Sequence, residues 1–207
     1  MVATCSKCST QNKVRSYSSI NVALNPELKA KVLSGELFLW ECPCCSQQNL
    51  ITFDCLYHDP SQKIMLWLLP GGTGEDGDRN NILAETEAGA YNSAIRSLPD
   101  YRFRIVDSAG DLIEKVMIFD AGLDDRCIEM VKFVARGELK DVDNLHFYRL
   151  QDDVMVFSGI KAGKMQGFGF GLNVYEDCEG ILKRNPAVGA EEGFQHIDQE
   201  WIDSIMA

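Results

Sequence analysis

Two pairs of cysteines carry the clearest chemistry in this chain, Cys5-Ser-Lys-Cys8 and Cys42-Pro-Cys44-Cys45. A C-x-x-C turn presents two sulfurs to one ion, and a tetrahedral cage of four thiolates is the preferred structural site of zinc. One such pair alone would serve equally well as a redox motif. Two pairs near one end of a chain call for a metal. The 33 residues from Ser9 to Glu41 exceed the usual ribbon spacing, so the intervening elements must fold the two turns together. Cys44 competes for a place in the second pair. A Cys42/Cys44 chelate would be tighter, whereas Cys42/Cys45 repeats the spacing of the first pair and places Pro43 as the rigid residue of the turn. The expected ligands are therefore Cys5, Cys8, Cys42 and Cys45, holding one structural Zn2+ per chain, with Cys44 a bystander. A site closed by four protein ligands has no position left for water or substrate, which points to structure and not to catalysis. Cys55, Cys127 and Cys178 stand alone, and a small buried apolar residue is the expected role for Cys127.

Other residue groups invite chemical readings that simpler ones match. His58 beside Asp59 has the types needed for acid–base work, but His-Asp-Pro also makes a turn in which the Asp carboxylate bonds nearby amides. Asp124-Asp125-Arg126 could hold a metal or a substrate carboxylate, yet acids at a helix N-terminus are explained by the helix dipole. Gly167-Phe-Gly-Phe-Gly171 is a G-x-G-x-G run without the spacing of a dinucleotide loop. It reads as a strand with aromatics on one face. His146 and His196 have no partner in sequence, and no nucleophile elbow, kinase signature or H-E-x-x-H motif occurs.

These residues need elements to hold them. Lys13 to Leu24 suits a strand pair or one long strand. Asn25 caps a helix with Pro26 in its first position and Leu28, Val32 and Leu33 at helical spacing, ended by Gly35. Leu37 to Glu41, Asn49 to Leu56 and Lys63 to Leu69 read as strands, with Tyr57 to Pro60 as a turn. Residues 71–81 are polar and Gly-rich, a linker and not a phosphate cradle, since no Gly-Lys-Ser/Thr ending follows. A helix is possible over 82–98 and a short strand over Tyr101 to Val106. Two firmer helices follow. Ser108 caps one with Leu112, Ile113, Val116 and Met117 on a face. Asp124 caps the other with Cys127, Ile128, Val131, Val134 and Ala135 inward. Leu145 to Leu150, Val154 to Lys161 and Gly167 to Tyr175 read as a strand meander, and Ile197 to Met206 as a closing helix.

The chain of 207 residues is 45% hydrophobic, enough to build a core without disulfide staples. Its formal charge of −11 is uneven: residues 1–70 carry +1 and residues 71–207 carry −12. That balance argues against broad binding to nucleic acid or to an anionic membrane, both of which want clustered Lys and Arg. The first ten residues lack a basic and apolar leader, and the longest apolar run, Ile64 to Leu69, is far short of a membrane span. A cytoplasmic protein is the expectation, in which eight cysteines mean metal or free thiols.

The cysteine pairs, Ser-Ile-Asn-Val-Ala-Leu-Asn-Pro-Glu-Leu (19–28), Leu-Ser-Gly-Glu-Leu-Phe (33–38), Leu-Tyr-His-Asp-Pro (56–60) and the stretch from Leu112 to Arg126 together resemble the CpXC family over about residues 1–140. That family is bacterial and archaeal and is named for its Cys-Pro-x-Cys motifs. The first pair here is Cys-Ser-Lys-Cys, without the proline, which alters turn rigidity and removes no ligand. The resemblance strengthens the zinc reading and implies no particular activity.

Taken together the expectation is an α+β protein. A zinc-ribbon-like β unit with an inserted helix spans 1–70 within a CpXC-like domain of 1–141, a helical pair follows that unit, and a small antiparallel β-rich region spans 142–207. The expected function is that of a non-enzymatic zinc-stabilised module that associates with another protein or with itself. The competing expectation is an enzyme using His58 with Asp59 or the Asp124/Asp125 region.

Overall fold

The computed structural model describes residues 1–70, 98–185, 188 and 193–206. The linker expected over 71–81 and nearly all of the helix expected over 82–98 lie outside the described residues. The fold is mixed α+β, and the chain divides into two compact units, Met1–Ile113 and Glu114–Ala207.

The first unit opens with two short antiparallel hairpins. Strands β1 (Val2–Thr4) and β2 (Gln11–Lys13) form one, β4 (Leu39–Glu41) and β5 (Gln48–Leu50) the other. Between them lie β3 (Ser19–Asn21) and helix α1 (Pro26–Leu33). Pro26 takes the first helical position, where its missing N–H costs nothing. The Asn25 side chain makes no cap; its backbone carbonyl accepts from Leu28 instead. Gly35, at φ 74°, stops the helix, and a 3-10 turn at Glu36–Phe38 takes the start of the strand expected from Leu37.

A second sheet runs in the order β3, β6 (Cys55–Asp59), β7 (Ile64–Leu68), β8 (Arg102–Val106). Strands β6 and β7 pair antiparallel, while β3 and β8 join in parallel at the two sides. Buried and half-buried residues alternate strictly along β6 and β7, the period of a pleated strand. Tyr57, Leu66, Leu68 and Ile20 are buried there. His58 and Asp59, expected in a turn, are the last two residues of β6, and the turn begins only at Pro60. Helix α2 (Ala109–Asp120) starts in this unit, with Ser108 Oγ accepting from the Asp111 amide at 3.1 Å.

The second unit holds helix α3 (Asp125–Glu138) and the meander β9 (Val142–Gln151), β10 (Val154–Lys161), β11 (Lys164–Gly171), all antiparallel. Asp152 and Asp153 in the first turn, and Ala162 and Gly163 in the second, all have positive φ. Two successive such residues make the tight turn whose twist matches the strands it joins. The strand expected to reach Tyr175 stops at Gly171, and Leu172–Arg184 forms helix α4. Gly171 caps it without a side chain, so the polar residue that normally announces a helix is missing. Helix α5 (Gln199–Met206) ends the described chain.

Phe147, Phe157 and Phe170 form the aromatic centre of this unit, each consecutive pair edge to face at 5.7 Å. They share a core with Ile128, Val131, Met155 and Tyr175. On α3 the expected stripe holds at Cys127, Ile128, Val131 and Ala135, but Val134 is 48% exposed, so the buried stripe narrows in the last turn. Charged residues widen it elsewhere: Glu129 and Lys132, with Glu114 and Lys115 of α2, are all buried. Lys132 Nζ reaches Glu129 at 2.8 Å and both Glu114 oxygens at 3.2 Å, and Lys115 Nζ reaches Asp125 at 3.0 Å. Mutual pairing is what makes such burial tolerable. Burial pushes the Glu129 carboxyl up, and one of its oxygens has no hydrogen-bond partner.

Candidate metal centre

Each cysteine pair sits at the tip of one hairpin, and the two tips are built alike. In the first, the Cys5 amide donates to Thr10 O at 2.9 Å and the Ser9 amide to Cys5 O at 3.0 Å. In the second, the Cys42 amide donates to Gln47 O at 2.9 Å and the Ser46 amide to Cys42 O at 2.8 Å. Ser9 and Ser46, each directly after the second cysteine of its pair, have φ of 59° and 54°. That left-handed residue turns the chain back into the returning strand and leaves both thiols of the pair facing the same way.

The structure brings Cys5, Cys8, Cys42 and Cys45 together, with all four sulfurs within 4.8 Å of one another. The closest approaches cross between hairpins: Cys5 Sγ to Cys45 Sγ is 3.6 Å and Cys8 Sγ to Cys42 Sγ is 3.5 Å. Four sulfurs at about 2.3 Å from a central zinc, at tetrahedral angles, stand about 3.8 Å apart. The two shortest separations lie close to that value, and the four sulfurs together make a plausible metal site. All eight cysteines are free thiols.

The four thiols do not ionise alike. Hydrogen bonds from the Thr10 hydroxyl and then its amide hold the Cys8 thiol down, to about 6. At Cys5 burial opposes ionisation, but the Cys8 and Lys7 amides bring the thiol below its usual range. Burial pushes Cys42 up. At Cys45 the Gln47 amide favours the thiolate, but burial and the neighbouring sulfurs outweigh it and push the thiol up to about 12. Two thiols are thus shifted towards the thiolate, and two, through burial and the neighbouring sulfurs, away from it. A metal ion held there would favour the thiolate at all four.

Asn49 is the residue that the sequence pattern did not single out. Its buried side chain in β5 accepts from both the amide (2.9 Å) and the hydroxyl (2.8 Å) of Ser6, donates to Gln47 O at 2.8 Å, and lies 3.8 Å from Cys5 Sγ. It ties the first cysteine turn to the second hairpin. No spacing rule marks it; an Asn in a strand four residues past Cys45 is the sole trace it leaves.

The remaining candidates fall elsewhere. Cys44 is exposed and outside the cluster. Burial pushes the Cys55 and Cys127 thiols up to about 12, which leaves them unreactive, small apolar groups. Cys178 is buried as well. His58 and Asp59 are consecutive in a strand and so leave β6 on opposite faces. His58 Nε2 lies 3.1 Å from the Tyr101 hydroxyl and Nδ1 3.4 Å from Asn21 Nδ2, and burial lowers its pKa. Asp59 accepts from the Ser61 amide and hydroxyl and the Gln62 amide and pairs with Lys29 at 2.9 Å. Against the cost of burial, Ser61 and Lys29 keep it below the usual carboxylate range. Asp124 caps α3 by accepting from the Arg126 amide and also pairs with the Arg126 guanidinium at 2.6 Å. Asp125 is fully buried against Lys115. The Gly167–Gly171 run lies in β11, where Phe168 and Phe170 are half-buried between exposed glycines at 167 and 169.

No described helix is long and apolar enough to cross a membrane. Comparison with curated proteins and with solved structures finds no match. The family model described as CpXC protein matches residues 3–132, more than half of the chain and a span that takes in both cysteine turns. The chain belongs to the CpXC family.

Proposed function

We propose that Cys5, Cys8, Cys42 and Cys45 hold one structural Zn2+ that makes a zinc-ribbon-like unit of the two hairpins, and that the protein is a non-enzymatic module binding another protein or a second copy of itself. The observation that carries this reading is the cluster itself: four sulfurs from two hairpins within 4.8 Å of one another, as many as a tetrahedral structural site needs. With every coordination position filled by protein, the ion cross-links and does not react. The other pairs suggested for catalysis support the same view, since His58 and Asp59 diverge, Asp124 pairs with Arg126, and Asp125 is buried against Lys115 of α2.

Elemental analysis of fresh, reduced protein purified without added metal is expected to give close to one zinc per chain. Cys44→Ala should keep the metal and Cys45→Ala should lose it, because only the latter leaves an incomplete cage. A metal content near zero in the wild type, or the reverse behaviour of the two variants, would overturn the assignment.

A further inference from the structure

An open groove of about 350 Å³ lies in the first unit, between β2 and the second hairpin. Asn12, Lys13, Val14 and Arg15 line one side in unbroken succession. Asn12 and Lys13 belong to β2, and Val14 continues its pairing through Met1; neighbouring side chains of a strand leave on opposite faces, so a groove lined by all three runs along the strand's edge. β2 pairs with β1 alone among the described residues. The amide of Val14 donates inward to Met1 O, and the register places Lys13 opposite Val2. In antiparallel pairing the next residue's backbone then faces the other way, so the N–H and C=O of Lys13 point outward, to the groove.

The side chains add charge and apolar surface. Lys13 and Arg15 have no carboxylate within ion-pair distance among the described residues, and the Arg15 guanidinium rests 4.7 Å from the centre of the Tyr17 ring. Lys31 on the rim is neutralised by Glu36 at 3.0 Å. Half-buried Trp40 and the buried Leu37 and Ile51 supply the apolar part of the lining. Two cations without a carboxylate partner thus flank a free strand edge, in a segment, residues 1–70, that carries +1 against −12 in the rest of the chain.

We infer that this groove binds an extended acidic peptide by strand addition, its backbone pairing with the edge at Lys13, its carboxylates meeting Lys13 and Arg15, and an apolar side chain resting on Leu37, Trp40 and Ile51. Main-chain bonds give such a mode its affinity and alternate side chains its specificity. The edge geometry favours a peptide over a nucleic acid strand, which has no backbone to continue a sheet. The inference rests on the reading of the protein as an interaction module and names the partner chemistry of one surface.

The test is selection from a displayed library of random twelve-residue peptides against the metal-replete full chain, followed by measured affinities of synthetic peptides. Enriched peptides should alternate Asp or Glu with apolar residues. Lys13→Glu with Arg15→Glu, both on exposed side chains, should weaken them at least tenfold while the melting temperature holds. N-methylation of alternate peptide amides should weaken them as much, because it blocks ladder bonds and spares charge. Amide shifts in the protein should centre on residues 12–15 and 37–40. If no enriched peptide depends on Lys13 and Arg15, or if an oligothymidylate of twelve nucleotides binds the groove more tightly than any peptide, the inference fails. Peptide binding or self-association that survives the double charge reversal would sink the groove alone; a chain that selects no peptide and sediments as a monomer at all concentrations would sink the interaction-module reading as well.

Discussion

Ser9 and Ser46 hold the same place in two turns 37 residues apart: each follows the second cysteine of its pair, each has φ between 54° and 59°, and each donates its amide to the carbonyl of the first cysteine. A side chain in this left-handed region is strained, and glycine is not. Ser9→Gly and Ser46→Gly should therefore keep the metal and melt at or slightly above the wild type. A β-branched residue there is a different matter. Ser46→Val should destabilise by about 1–3 kcal/mol and weaken metal retention. Thermal melts of the three variants, with metal content measured in parallel, check this; a valine tolerated as well as glycine would show that the turn does not need the left-handed residue.

Asn49 offers a second check, because it touches both turns while ligating nothing. Removing its amide leaves the Ser6 N–H without its acceptor and frees the Cys5 loop. Partners of this kind typically change metal affinity about 10–100-fold. Asn49→Ala should reduce affinity by that factor in a chelator competition, with the stoichiometry unchanged. An unchanged affinity would mean that the sulfur cage is positioned by backbone alone.

How much of this was legible in the residues differs by element. The cysteine cluster was readable because two equal spacings encode two equal turns, which need no knowledge of what lies between. The first two strands of the meander were readable as well, because the turns that bound them, Asp152-Asp153 and Ala162-Gly163, are local features. Helix α4 was not, since it follows β11 without a polar cap and its first residues continue an apolar strand pattern. The position of His58 and Asp59 was misjudged because Asp-Pro marks a turn but does not say whether Asp is in it or ends the strand before it. Glu114, Lys115, Glu129 and Lys132 were hidden most thoroughly. Charged residues on helices read as solvent-facing, and only tertiary pairing reveals that these neutralise one another inside.

Glu114 gives that buried network a pH signature. Its oxygens take Lys132, His146 Nδ1 at 3.0 Å and the Phe147 amide at 2.6 Å. Burial opposes ionisation, yet Lys132 and then His146 pull the carboxyl from an ordinary 4.5 to about 2. The unfolded chain thus binds this proton more readily than the folded one, so stability rises with pH across the interval. The contribution is complete above about 4.5 and is lost as pH falls towards about 2. Glu114→Gln should flatten this acid limb for the unit of residues 114–207 and lower its stability at neutral pH by about 3–5 kcal/mol, the usual result of leaving a buried partner charge unpaired. Urea titrations at several pH values, followed at Trp201, would show it. An acid limb identical in the variant would assign the effect to other carboxylates.

Removing the metal should act unevenly along the chain. The hairpins β1–β2 and β4–β5 have strands of only three residues each and form separate two-stranded sheets. Isolated two-stranded hairpins are marginal in water. The shortest sulfur contacts run between the two hairpins, so an ion there joins segments 33 residues apart in sequence. Structural zinc in small finger peptides contributes about 10–16 kcal/mol of apparent folding free energy, far more than twelve residues in short strands can replace. The second unit owes nothing to thiolates: its core is the Phe147, Phe157 and Phe170 cluster with Ile128, Val131 and Met155, stabilised by apolar burial. A strong chelator should therefore release amide protons at residues 2–13 and 39–50 to rapid exchange, while β10 and α3 keep theirs. The sheet holding Tyr57, Leu66 and Leu68 has its own buried surface and should exchange at an intermediate rate. Equal loss of protection throughout would show the whole chain to be one cooperative unit. Unchanged protection of the two hairpins after the metal is gone would show that the ion does not hold them together, and the structural role of the cluster would have to be given up.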